Sequence, residues 1–360
     1  MSTLFEPGKM GDIDVKNRVF MAPLTRNRAH PDGTPHQLAV EYYTQRASAG
    51  LIISEGVQIV PMAKGYVNTP GIHNAKQIAA WKDITDAVHA KGGKIVLQLW
   101  HVGRISHTSL LPDGNAPLAP SAIQVDAGTF TEEGPTNVSS PRELTVTEIE
   151  AIVTEYADAA QASIDAGFDG VEVHGANGYL LNQFISTNTN DRTDAYGGSP
   201  ENRSKLLLDV VDAVSHRIGR GRVGVRLSPT GTFNDIHDAE AGATYSHLFA
   251  EIDKRDLAFL HVVEAFPGFE PSAEEQELNQ SLRKTFSGNY IANGGYDGAS
   301  AAAAVENGAV AVSFGRMFIS NPDLPERLRL GAELNVLDDT TLYGGSEKGY
   351  TDYPALPSAA

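Results

Sequence analysis

The stretch Gly170-Val171-Glu172-Val173-His174-Gly175-Ala176-Asn177-Gly178-Tyr179 decides how this chain reads. Gly170–Val173 is a short, largely apolar run with a polar, glycine-rich end. Upstream, Thr147–Ala166 places Ile149, Ile152, Val153, Tyr156 and Ala160 on one helical face, with Thr147 as the expected cap. A helix, a buried-type strand and a polar strand end form the repeating unit of an α/β protein. The same unit recurs in both directions. Further runs lie at Arg18–Leu24, Leu51–Ile59, Lys94–Trp100, Arg222–Leu227, Phe259–Glu264, Asn289–Ala292 and Val310–Phe314. Several are continuous in Val, Ile and Leu, as strands buried on both faces of a parallel sheet must be. Helical periodicity separates them at Gln77–Ala90, Asn202–Ile218 and Ala299–Val305. Eight alternations favour a closed (β/α)8 TIM barrel over an open doubly wound sheet. No Gly-x-Gly-x-x-Gly follows the first run, which weakens a dinucleotide-binding alternative.

With 360 residues, length alone permits one large domain or two ordinary ones. No repeat or flexible linker divides the chain, so the expectation is a single domain over residues 1–360. Within it, residues 104–143, rich in Pro, Gly, Ser and Thr, form an excursion covering the barrel mouth. A shorter acidic loop is expected over Phe266–Gln276. Net charge is −17, from 28 Lys and Arg against 45 Asp and Glu, a surface that repels nucleic acid and anionic membrane. With no cysteine, disulfides, thiolate metal sites and thiol nucleophiles are excluded. The opening Met-Ser-Thr-Leu-Phe-Glu has no basic-then-apolar leader pattern, and no 18-residue apolar run occurs, so the expected compartment is the cytoplasm.

In barrels, polar residues at the carboxyl ends of strands point into the site. Those ends read Ala22-Pro23-Leu24-Thr25-Arg26, Glu55-Gly56, Gln98-Leu99-Trp100-His101, Val173–Tyr179, Arg226, Asn293-Gly294-Gly295 and Gly315-Arg316. The last two sit where barrels bind phosphate. Glycines admit backbone N–H groups to an anion there, and Arg316 adds a charge-assisted contact. The glycines alone fit plain turns equally well. His174 and Asn177, three positions apart, can together hold an oxygen that becomes negative in a transition state. Tyr179, with an ordinary pKa of about 10, can donate a proton. On residue type alone, this group also reads as buried polar residues at a strand end. A metal site is disfavoured, because no nearby carboxylate or second His completes a ligand set.

Taken in order, several stretches resemble the Old Yellow Enzyme family of flavin-dependent ene-reductases. They are Asn17–Arg26, Tyr42–Ile52, Gln98–Arg104, His174–Tyr179, Asp191–Ser199 and Gly315-Arg316, and the likeness runs from Asn17 to Pro354. In detail the chain is most similar to the bacterial ene-reductase branch that includes pentaerythritol tetranitrate reductase, N-ethylmaleimide reductase and morphinone reductase. The resemblance implies an FMN-binding (β/α)8 barrel. It implies that Pro23, Leu24, Thr25, Gly56, Gln98 and Arg226 surround the flavin ring, with Asn293, Gly294, Gly295, Gly315 and Arg316 as phosphate cradle. Tyr66, Trp100 and Tyr343 match aromatic positions around the substrate. Trp100 and Tyr343 also read as packing at the barrel rim.

The implied reaction is ping-pong: NADPH or NADH reduces tightly bound, non-covalent FMN, and an electron-poor alkene then occupies the same face. His174 and Asn177 hold its carbonyl or nitro oxygen, hydride reaches the β-carbon, and Tyr179 protonates the α-carbon. The partners expected are small α,β-unsaturated carbonyls or nitroalkenes, with no nucleic acid or membrane, in a monomer or homodimer. Two departures are visible, and Thr25 argues against one branch. Asn177 stands where the nitrate-ester branch usually has a second His. Gly56 stands where Ala is common, a change expected to be tolerated. Thr25 replaces the Cys of the thiol-tuned branch. The rivals are another FMN barrel, whose chemistry needs a base to take a proton from its substrate, and a non-catalytic flavin or phosphate binder, which needs no proton donor.

Overall fold

The computed structural model describes residues 3–266, 268 and 271–357. Eight parallel strands close into a barrel. They are β1 (Val19–Met21), β2 (Ile52–Gln58), β3 (Ile95–Trp100), β4 (Gly170–Gly175), β5 (Val223–Leu227), β6 (Phe259–Val263), β7 (Tyr290–Asn293) and β8 (Ala311–Phe314). All eight overlap the expected runs; six lie within them, while β4 extends two residues past Val173 and β7 one residue past Ala292. Helices follow at α1 (Leu38–Gln45), α2 (Ala75–Ala90), α3 (Val146–Asp165), α4 (Pro200–Ile218), α5 (Ala241–Asp253), α6 (Ala273–Thr285), α7 (Gly298–Glu306) and α8 (Leu324–Leu330). The fold class is therefore the (β/α)8 barrel expected. Among the described residues, no helix is long and apolar enough to cross a membrane.

Two expectations need correction. The cap of α3 is Thr145, not Thr147. Both residues have Glu three positions on, so both read as capping boxes. Thr145 wins because its partner Glu148 is also gripped by Arg142, at 2.6 and 3.0 Å. The acidic loop over Phe266–Gln276 includes positions 267, 269 and 270, outside the described residues. It is shorter than expected, because Ser272 and Glu275 form a capping box and α6 starts at Ala273.

The barrel interior is built in layers, because alternate residues of each strand point inward. At the bottom, Phe20, Ile53, Val96, Phe259, Ile291 and Ala311 pack in one cluster with Met10, Ile13 and Val15. The last three lie on an antiparallel hairpin, Gly8–Met10 with Ile13–Val15, that plugs this end. A Cβ on Gly224 would fall 2.1 Å from the Phe259 ring, so glycine is what makes room for that side chain. Above this apolar floor the interior turns polar, through Gln98, Glu172, His261 and Ser313, all 3% exposed or less. The larger cluster, including Trp81, Leu206 and Val210, fills the shell between strands and helices.

The ladder between β2 and β3 shifts register between Ile53 and Gly56. At the irregularity, the Ser54 hydroxyl accepts the Gln98 N–H at 3.1 Å. The shift turns Glu55 out of the barrel, where it meets the Tyr43 hydroxyl and the Arg26 N–H, both at 3.4 Å. Glu55 is thus not part of the strand-end site, although its neighbour Gly56 is. Residues 104–143 leave the end of β3 and carry a small antiparallel hairpin, Gly128–Thr131 with Gly134–Asn137. Thr129 of this hairpin, buried, donates to the Gly65 carbonyl.

Candidate active site

A cavity of about 1090 Å³ opens at the carboxyl ends of the strands. Ligand pockets commonly span roughly 300–1,000 Å³, so this one has room for more than one drug-sized molecule. Thirteen of the expected residues line it: Pro23, Leu24, Thr25, Tyr66, Asn177, Tyr179, Arg226, Asn293, Gly294, Gly295, Gly315, Arg316 and Tyr343. His174, Gln98, Trp100 and Gly56 are not on this surface; His174 and Trp100 stand behind it, with their rings against that of Tyr179.

The β4 end turns abruptly. Asn177 and Gly178 both have positive φ, 59° and 75°, which Asn tolerates and Gly adopts freely. A Cβ on Gly178 would fall 2.5 Å from the Phe233 carbonyl oxygen, so a side chain there would collide with the loop after β5. That loop then fixes the turn. Asn234 donates to the Asn177 carbonyl at 2.9 Å, and the Ser228 hydroxyl accepts the Asn177 N–H at 3.0 Å. Buried Gln183 donates to the carbonyls of Gly178 and Val102 and accepts the Arg104 N–H, stapling the ends of β3 and β4 together. Ser228, Asn234 and Gln183 were not among the expected site residues. Their role is fixed by contacts between distant segments, and no local pattern marks it.

His174 Nδ1 and Asn177 Oδ1 are buried without a hydrogen-bond partner among the described residues. An unsatisfied buried polar group costs about 1–3 kcal/mol, so the pair is arranged for something not on this chain. Burial, reinforced by the nearby charge of Arg226, holds His174 well below its ordinary pKa. The imidazole is therefore neutral and has one N–H to give. The Tyr179 ring lies 5.3 Å from that of His174. Burial pushes the Tyr179 phenol up to about 12, against the lowering effect of its Tyr66 and Asn234 hydrogen bonds. It stays protonated across the neutral range. Its hydroxyl meets that of Tyr66 at 3.2 Å.

Trp100 joins these aromatics from β3. It stacks on Tyr66 at 5.8 Å and meets Tyr179 edge-on at 5.0 Å. Its indole occupies the space beside Gly56, where a Cβ would fall 2.6 Å from the ring. Glycine at position 56 therefore suits this packing, because Trp100 fills the place a methyl would need. Tyr343, 64% exposed, stands at the rim on the C-terminal segment. That segment is held by Arg26 and Arg28, which donate to the carbonyls of Thr341, Leu342, Ser346, Lys348 and Gly349.

Arg226 is buried and donates to Asn293 Oδ1 at 2.9 Å, while its Nε has no partner among the described residues. Asn293 in turn donates to the Ser313 carbonyl at 3.0 Å. Gly294 has φ of 130°, and a Cβ there would meet Ala265 at 2.5 Å, so close backbone approach explains this glycine. Gly295, at φ 70°, has open space where a Cβ would be. Arg316 lines the cavity but is half exposed and paired with Asp339, so an anion at the glycine turn competes with that carboxylate for it. Among the described residues there is no group of three or more His, Asp or Glu placed to hold a metal ion.

Residues 3–335 match the family model described as NADH:flavin oxidoreductase / NADH oxidase. The chain is 44% identical over 363 residues to 12-oxophytodienoate reductase 1 of Oryza sativa subsp. japonica, covering 98% of this chain and 93% of that one. It is 43% identical to the flavin oxidoreductase hxnT of Emericella nidulans, covering 98% of both. Among solved structures, morphinone reductase superposes with a TM-score of 0.95 at 50% identity, over 99% of this chain and 96% of that one. The Old Yellow Enzyme homologue of Zymomonas mobilis gives 0.94 at 42% identity, over 98% and 100%. The cavity at the strand ends is thus framed by a chain that belongs to the NADH:flavin oxidoreductase / NADH oxidase family, of Old Yellow Enzyme type, and is an NAD(P)H-dependent flavin oxidoreductase.

Proposed function

We propose that this chain is an FMN-dependent ene-reductase acting on α,β-unsaturated carbonyls or nitroalkenes, with NADPH or NADH as reductant. The observation that carries the reading is the β4 end, where Asn177 and the Tyr179 phenol line one large cavity and buried His174, its Nδ1 without a partner among the described residues, stands directly behind them. The residues present suit a flavin. Arg226 offers an unpaired buried N–H, and Gly295 leaves open space at the glycine turn. When bound non-covalently, FMN would supply the hydride for the substrate β-carbon. Pro23, Leu24, Thr25, Gly56 and Gln98 would frame its ring, with Gln98 and Arg226 on the pyrimidine side and Arg226 offsetting negative charge there, and Asn293, Gly294, Gly295, Gly315 and Arg316 would take the phosphate.

The chain's own work is position and proton control. His174 gives its one N–H to the substrate oxygen, and the Asn177 amide gives a second. Two donors fix one end of the alkene and stabilise the charge that develops on that oxygen. The loop after β5 holds Asn177 through Asn234 and Ser228, so the donors keep their spacing. Tyr179 delivers its proton to the α-carbon, and Tyr66 is placed to hydrogen-bond the resulting oxygen. The aromatic wall of Tyr66, Trp100 and Tyr343 excludes water from a flat substrate. Residues 104–143 act as a cap within a single-domain barrel, bringing Gly128 and Phe130 to the cavity.

The test is anaerobic stopped-flow of each half-reaction with 2-cyclohexenone. Tyr179→Phe should slow alkene reduction by about 10²-fold or more, the range of general acid catalysis, while flavin reduction by the nicotinamide is unchanged. Equal losses in both halves would remove Tyr179 as proton donor.

A further inference from the structure

The middle of a TIM-barrel core is ordinarily packed with branched aliphatic side chains. Here it holds a continuous polar chain that the reaction described above does not use. The Glu172 carboxylate accepts from Gln98 Nε2 at 2.8 Å and lies 2.7 Å from His261 Nδ1. On its other side, His261 Nε2 lies 2.7 Å from the Ser313 hydroxyl. Glu172 and His261 are both 0% exposed. Buried ionic groups of this kind are no more stabilising than well-packed apolar ones, so stability alone does not account for them.

We propose that Glu172 and His261 are positioning residues for the flavin, locking the Gln98 amide in one orientation and setting the interior charge opposite Arg226. The inference rests on the flavin reading above. An ionised carboxylate only accepts, so the Gln98 NH2 must face Glu172, and its Oε1 is turned away from that carboxylate. The same logic puts the His261 proton on Nδ1 and the Ser313 proton toward Nε2, so every hydrogen in the chain has one place. Burial keeps His261 below its ordinary pKa although the Glu172 charge opposes this, which agrees with a neutral ring. Glu172 then remains the counter-charge that Arg226 feels from within the barrel. Arg226 and Gln98 are the two groups assigned to the flavin's pyrimidine side, and Glu172 addresses both. Reduction adds negative charge to that side. A fixed carboxylate beneath it therefore disfavours the reduced form and holds the potential down, while the oriented amide favours binding in both redox states.

The experiment compares holoenzymes. In Glu172→Gln, oxidised FMN should be released on dilution at least tenfold faster, followed by recovery of free-flavin fluorescence. The ratio of affinities for reduced over oxidised FMN should rise about tenfold, read as a midpoint potential about 30 mV more positive for a two-electron couple. Faster release with an unchanged potential would make Glu172 merely structural and overturn the charge role. In a Gln98→Ala background the same substitution should add little further loss of FMN, and additive losses would overturn the route through Gln98. If Glu172→Gln fails to fold, the wild-type holoenzyme still decides. NMR with ¹⁵N-labelled histidine should show a solvent-protected imidazole N–H, identified by its loss in His261→Gln, that shifts when the flavin is reduced. An unmoved signal would refute the coupling. A well-folded wild-type protein that takes up no FMN would overturn the flavin reading itself, and this one with it.

Discussion

Gly56→Ala is the smallest change that tests whether the aromatic wall is as tightly fitted as its distances imply. The added methyl would lie 2.6 Å from Trp100 Cε3 and 2.7 Å from Cδ2. Ordinary contact begins at 3.4 Å, so the indole must retreat by about 0.8 Å. It has little room, being 2% exposed. Its neighbours on the retreat are Tyr66, stacked at 5.8 Å, and Tyr179, edge-on at 5.0 Å. Overpacking of this kind costs about 1–3 kcal/mol. The strain would be passed to the two hydroxyls joined at 3.2 Å, one of them the assigned proton donor. Misplacement by about 1 Å can cost on the order of 10²-fold in rate, so a tenfold or greater fall in kcat/KM for 2-cyclohexenone is expected. Urea unfolding should report the stability loss, and steady-state kinetics the rate. Gly56→Ala combined with Trp100→Phe should recover most of the stability, because the smaller ring leaves space for the methyl. A single variant with unchanged unfolding midpoint and kcat/KM would refute the reasoning and show that Trp100 yields freely.

His174→Ala should abolish the long-wavelength charge-transfer band that a bound phenol is expected to give with the oxidised holoenzyme; survival of the band would remove the oxyanion-holding role. Burial pushes the Glu55 carboxyl up from 4.5 to about 7, against the opposing effects of the Arg26 N–H and charge. Because its folded-state value is raised, its proton stabilises the fold fully below pH 4.5, and that contribution is lost as pH rises through about 7. Glu55→Gln should flatten this part of the stability profile, by up to roughly 1.4 kcal/mol per pH unit for one proton, and superimposable urea midpoints across the range would contradict the assignment. Thr145→Ala should destabilise by about 1 kcal/mol through the lost α3 cap without altering turnover, whereas Thr147→Ala should not, and the reverse order would restore Thr147 as the cap.

The barrel was legible because its strands are buried on both faces, and that burial writes itself as uninterrupted apolar runs with polar ends. Most of the candidate site was legible for the same reason: His174, Arg226 and Asn293 are consecutive with strand cores whose periodicity points them inward. What sequence could not show lies at right angles to the chain. Ser228, Asn234 and Gln183 act on the β4 turn through bonds between segments about fifty or more positions apart or between adjoining loops, with no local spacing to betray them. Glu55 misled because a single irregularity in β2 reverses the side on which a residue falls, and only the ladder to β3 reveals it. The fit at Gly56 is likewise set across the sheet, by Trp100 from the neighbouring strand. The polar middle layer combines both lessons. Glu172 and His261 interrupt apolar runs where alternation calls for a branched side chain, but nothing local assigns either a role. Only closure of the barrel makes the two exceptions one hydrogen-bonded unit, β4 to β6, and gives them Gln98 and Arg226 to act upon.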